Sequence, residues 1–225
     1  MKKFELTSEF VTFLGKKLFR IKALISFGNV KEGELGGYVE KEENLSNDGN
    51  AWVYGDAEVA GNAKVFGDAW VYGNARVYGD AEVAGNARVY GDTEVAGNAW
   101  VSGNAWVSGN ARVAGNARVY GDARVYGDAW VYGDARVAGN ARVYGDAWVY
   151  GDADYATVHG FGSEYRTTTF FRTKAGDIGV RCGCFYGTLE EFRAKVKETH
   201  GETKTAKEYL RVADLMEFRF SKEGV

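Results

Sequence analysis

The side chains best suited to chemistry gather in the last third of the chain. Gly160-Phe161-Gly162-Ser163-Glu164-Tyr165-Arg166 runs into Thr167, Thr168 and Thr169, with Arg172 and Arg181 close behind. A glycine-rich turn with hydroxyls and arginines suits an anion, because guanidinium forks match the oxygens of phosphate or carboxylate. Ser163, Arg166, Thr167, Thr169, Arg172 and Arg181 are therefore the candidate ligand-binding residues, for a small anionic, nucleotide-like molecule. The segment is not a P-loop, since no Gly-Lys-Ser/Thr occurs. The alternative is a hinge followed by a hydrated strand.

Other chemistry finds few residues to use. The two histidines are His159 and His200, so no imidazole is present from residue 1 to 158. Cys182 and Cys184 flank one glycine, too few ligands for a tetrahedral zinc knuckle and without an evident base partner. Strand geometry would point the two thiols the same way without favouring a bond, which suits a reducing compartment. No catalytic residue, metal or cofactor is implied.

What must position these groups is a repeat. From Ala51 to Asp152 the phrase Ala-x-Val-x-Gly-(Asn/Asp) recurs seventeen times, with Thr93 alone standing where the phrase has Ala. Ala and Val, two residues apart in extended backbone, share a face, so they form the interior and the x positions form an outer wall. Gly followed by Asn or Asp supplies a corner, since these residues tolerate positive φ. Capping of their own turns is the expected job of the corner Asn and Asp side chains, in preference to calcium binding.

The hexads resemble the hexapeptide-repeat left-handed β-helix family, in which three hexads close one triangular coil and coils stack at about 4.8 Å. The resemblance implies a mainly β fold of about six coils, and, through the family's enzymes, an acyl-CoA-dependent acyltransferase as the alternative function. Those enzymes commonly use a histidine base and an inserted arm, and these hexads carry neither. An eighteen-residue coil makes residues eighteen apart neighbours. The outer columns then read Glu58, Arg76, Glu94, Arg112, Trp130, Trp148; Trp52, Trp70, Arg88, Trp106, Arg124, Arg142; and Lys64, Glu82, Trp100, Arg118, Arg136. Most neighbours are opposite charges or cation–aromatic pairs, although Arg124 adjoins Arg142 and Arg118 adjoins Arg136.

All six tryptophans and nine of the fourteen tyrosines lie in the repeat. An aromatic wall of that length marks an association surface. The interface candidates are Trp52, Tyr54, Trp70, Tyr72, Arg88, Tyr90, Trp106, Tyr126 and Tyr144, and the expected assembly is a homotrimer. Nucleic acid is disfavoured on this reading by the neighbouring Glu58, Glu82 and Glu94.

A solenoid has two raw ends, so caps are expected. Residues 1–50 read as an N-terminal cap, 51–155 as the β-helix, and 156–225 as an α/β recognition module. In the cap, Lys17–Phe27 is strand-forming and Tyr38-Val39-Glu40 follows a turn. In the module, 167–173 and 178–185 read as strands. Thr188 and Glu191 form a capping box for a helix from Leu189 to about Thr199, and a second helix runs from Thr205 to Glu217. Gly36-Gly37-Tyr38-Val39-Glu40 and the Arg-Cys-Gly-Cys-Phe segment resemble parts of prophage and enterobacterial hexapeptide proteins, often labelled transferases or polymer-forming proteins. The net charge of −3 does not announce nucleic-acid binding. With no signal peptide and no long apolar run, the expected location is cytoplasmic, in a bacterium or phage-infected cell. The expected function is non-enzymatic: a scaffold displaying a module that binds a host protein or a small anion, with a structural filament as a further alternative.

Overall fold

The computed structural model describes residues 2–162 and 164–221; Ser163 lies outside the described residues. Each hexad forms one short strand, and β4 to β20 run from Trp52–Val53 to Trp148–Val149. Parallel pairing joins residues eighteen apart, as in Trp52 with Trp70, Glu58 with Arg76 and Lys64 with Glu82. The strands form three sheets, one per side, and so a parallel β-solenoid of about six coils. The side holding Trp70, Arg88 and Trp106 is called here the tryptophan side.

The Ala and Val of every hexad are buried to within 1%. Thr93, in an Ala position, is tolerated because its hydroxyl donates to the Tyr90 carbonyl at 2.6 Å, leaving no polar atom unpaired. Sixteen corner glycines, Gly55 to Gly145, have φ between 62° and 81°, a region that side chains with a Cβ resist.

The corner amides do something other than cap their own turns. Asn62 Nδ2 donates to Asp80 at 3.0 Å, Asn74 to Asp92 at 2.8 Å and Asn110 to Asp128 at 2.8 Å, each eighteen residues on. Stacking brings equivalent corners within one strand spacing, so an amide reaches its neighbouring coil. The Asn/Asp mixture is a donor–acceptor ladder along the rod.

Both ends are closed, by opposite chemistry. At the N-terminal end β1 (Phe4–Phe13), β2 (Lys16–Ala23) and β3 (Leu35–Val39) form an antiparallel extension of one solenoid sheet. The first coil presents three equivalent carbonyls, of Ala51, Ala57 and Ala63. They accept from Lys3 Nζ at 2.9 Å, Tyr38 N–H at 2.8 Å and Asn44 Nδ2 at 2.8 Å. At the other end the raw groups are N–H donors. Arg136 N–H donates to Asp152 at 2.9 Å, Arg142 N–H to the Thr169 hydroxyl at 2.9 Å, and Tyr150 and Gly151 N–H to Asp154 at 3.0 Å.

The C-terminal part has four antiparallel strands: β21 (Tyr155–Phe161), β22 (Arg166–Arg172), β23 (Ile178–Cys182) and β24 (Phe185–Thr188). Two of them, β21 and β24, add to the pair read from sequence. Helices α1 (Leu189–His200) and α2 (Lys204–Phe220) cover the sheet, and Thr188 and Glu191 form the capping box. Alternation along β22 splits its phenylalanines. Phe171 joins the solenoid core, and Phe170 packs among Phe192, Val196, Ala213 and Met216. No helix among the described residues is long and apolar enough to cross a membrane.

Candidate functional site

At the junction, three arginines from two parts of the fold line one groove. Arg124 and Arg142 project from the tryptophan side, and Arg166 begins β22. Together with Thr167, Asn140, Asp122 and Gly183 they enclose about 240 Å³. A Cβ on Gly183 would sit 2.6 Å from Arg166 Nη1, so glycine leaves room for the guanidinium. Arg124 lies over the Trp106 ring at 4.8 Å, within cation–π range. The groove also holds one acid, Asp122, an oxygen of which accepts from Asn104 Nδ2 at 2.9 Å. Glu164 reaches Arg166 at 3.5 Å, with both side chains more than half exposed, a weak pair.

The candidates read from sequence separate. Arg166 and Thr167 enter the groove. Thr169 is fully buried and is spent on the Arg142 N–H, so it is a coil cap. Arg172 donates to the Phe220 carbonyl at 2.6 Å and pairs with Asp154 at 3.5 Å, tying the end of α2 to the solenoid terminus. Arg181 donates to the Cys184 carbonyl at 3.1 Å and lies over the Tyr144 ring at 5.3 Å, so it fastens the module to the wall. Two groove residues, Arg124 and Arg142, were legible only as unexplained like-charge neighbours.

Two of the remaining reactive groups, His159 and Cys182, have hydrogen-bond partners. His159 Nδ1 is 3.0 Å from the Thr167 hydroxyl. Cys182 Sγ accepts from Thr168 Oγ1 at 3.1 Å, whereas Cys184 lies exposed in the turn beyond β23, so the two thiols do not share a strand face. Tyr209, buried beside Cys182, is pushed up to about 12, chiefly by burial.

The aromatic wall is shorter than its column. Trp52 is fully buried, edge-on to Phe4 at 6.3 Å and Phe27 at 5.3 Å, and so stands beneath the N-terminal cap instead of on the outer surface. At the far end Tyr144 is covered by Tyr186, at 4.7 Å, whose hydroxyl donates to Asp146 at 2.9 Å. Trp70, Tyr72, Tyr90, Trp106 and Tyr126 remain half-buried between the two. Arg88 sits between Trp70 and Trp106, 5.2 Å from each ring. Glu58 and Glu94 stand on a second side and Glu82 on the third, so the outward strand positions of the tryptophan side carry no acid.

This geometry agrees with a family model that the chain matches. The YdcK Beta solenoid repeat matches residues 69–83, 117–133 and 135–151. The chain carries a β-solenoid repeat. The matched stretches lie within the hexads and report the scaffold; they include Arg124 and Arg142 but leave the N-terminal cap, Arg166 and the rest of the C-terminal module outside. Comparison with curated proteins finds no match.

Proposed function

We propose that the protein is a non-enzymatic scaffold and binding protein whose junction groove takes a small phosphate-bearing anion. The observation that carries this reading is the convergence of Arg124, Arg142 and Arg166 around one groove. Arg124 and Arg142 occupy adjacent coils as like charges. A bound dianion would offset that repulsion and use the free edges of the guanidiniums. Thr167 and Asn140 add a hydroxyl and an amide at the rim. A left-handed course of the coils belongs to the same reading, from the likeness of the hexads. The prophage likeness of the flanking segments supports a phage-borne protein that takes its ligand from a host cell.

The acyltransferase alternative needs a general base along the coils, and no histidine precedes His159. The test is titration of the full chain with inorganic pyrophosphate, followed by calorimetry. Saturable binding that weakens at least about tenfold in Arg142→Leu and in Arg166→Leu supports the reading. Pyrophosphate binding that is absent, or indifferent to both substitutions, ends it.

A further inference from the structure

The tryptophan side carries a second recess, toward the N-terminal end and distinct from the junction groove. Asn29, Tyr54, Trp70, Tyr72 and Arg88 enclose about 440 Å³ there, within the size of small-molecule sites, about 300–1,000 Å³. It arises from a break in the tyrosine column. Tyr72 and Tyr90 stack with centroids 4.8 Å apart and planes 5° from parallel. Tyr54 does not continue that stack, because its ring turns onto Trp70 at 5.6 Å and Trp52 at 6.5 Å. Among the described residues, no aromatic ring therefore covers the face of Tyr72 opposite Tyr90.

The rim supplies the charge. Arg88 is held flat between two indoles, and among the described residues its guanidinium makes no hydrogen bond or ion pair. Its N–H donors are therefore unspent at the rim of the recess. The nearby acid, Glu34, stands on the Tyr54 flank, where its carboxylate accepts from Lys31 N–H at 3.0 Å.

We propose that this recess binds a planar aromatic ring bearing an anionic group. The ring lies on the open face of Tyr72, and the anion meets the edge of Arg88. The Asn29 amide serves a polar edge of the ring. Offset stacking and a charge-assisted bond to a preorganised guanidinium are each directional, so the site selects for flatness and for negative charge.

The experiment titrates the full chain with 2-naphthoate, using calorimetry and saturation-transfer NMR. The expected result is saturable binding that falls at least about tenfold in Tyr72→Leu and in Arg88→Leu. Tyr72→Phe, which keeps the ring, retains binding, and Arg142→Leu leaves it unchanged. That last variant separates this site from the junction groove. Cyclohexanecarboxylate, charged but not flat, and 2-naphthamide, flat but uncharged, bind more weakly than 2-naphthoate. Absence of saturable binding at millimolar 2-naphthoate overturns the proposal, as does binding that survives both Leu substitutions or fails to distinguish the three probes. If Tyr72→Leu does not fold, Arg88→Leu reads the same claim, because that side chain supports no backbone group.

Discussion

Lys3 Nζ donates to the carbonyl oxygen of Ala51 at 2.9 Å, a cation closing the raw end of a β-solenoid core. The side chain is 1% exposed and lies over the Phe27 ring. Lys3→Met leaves the Ala51 oxygen without a partner and should cost about 1–3 kcal/mol near neutral pH. Burial lowers the ammonium from 10.5 to about 8, and Asp48 and Asp68 offset this only in part. The folded protein thus releases this proton before the unfolded chain does. Between those two values the unfolded chain holds more protons, so the contribution of Lys3 to stability rises with pH, and below the lower value it is flat. Denaturant melts of both proteins across that window should show the gap widening toward alkaline pH. A constant gap would contradict the burial.

The corner ladder predicts a charge effect at Asn110. Its Nδ2 donates to Asp128 at 2.8 Å, and its column reads Asp92, Asn110, Asp128, Asp146. Asn110→Asp removes that bond and sets four carboxylates in a row at about 4.8 Å intervals. The lost bond and two new repulsions should together cost about 1–3 kcal/mol at low salt. Thermal melts should recover much of this in molar salt, which screens exposed charges, and in acid, which neutralises them.

Two corner glycines separate backbone strain from crowding. Gly103 has φ of 69°, and a Cβ there would meet Gly121 N at 2.9 Å. Gly139 has φ of 62° with nothing within 4 Å of the added carbon. Gly139→Ala should therefore cost only the conformational term, about 1–2 kcal/mol. Gly103→Ala adds a clash with the next coil and should cost about 2–4 kcal/mol in all. Equal losses in urea melts would show that the coils adjust without strain.

How much could be read without coordinates follows from sequence distance. Arg88 between Trp70 and Trp106 was legible because one period relates all three. Trp52 obeys the same period, yet its surroundings are set by Phe4 and Phe27, which no period connects to it. The six ligand candidates were grouped by closeness along the chain. Position along β22 then separated them: Thr169, on the same strand face as Thr167, lies over the last coil and caps Arg142 N–H, while Arg166 and Thr167 at the start of the strand reach the groove. The groove needs Arg124 and Arg166 together, forty-two residues apart, and only the docking of β22 on the last coil brings them there. The acids that disfavoured nucleic acid on the wall were close in sequence and lie on other sides of the rod.

The caps predict how the rod assembles when they are removed. Deleting residues 2–50 frees the carbonyls of Ala51, Ala57 and Ala63 and uncovers Trp52. The far end stays closed by Asp152, Asp154 and Thr169. The freed carbonyls find no donors on a second raw end of the same kind, so any association runs through the uncovered Trp52 surface and should stop at pairs. Residues 51–152 alone have two unlike raw ends, carbonyl-rich and N–H-rich, which complement each other head to tail. That fragment should grow into fibres, since a heterologous contact that does not close has no terminal size. Light scattering over a concentration series distinguishes the three cases. The full chain should hold one finite mass, the single deletion should reach twice its own chain mass, and the bare repeat should climb without limit. A full chain whose mass climbs with concentration would mean that the caps do not close the rod, and the filament reading would return.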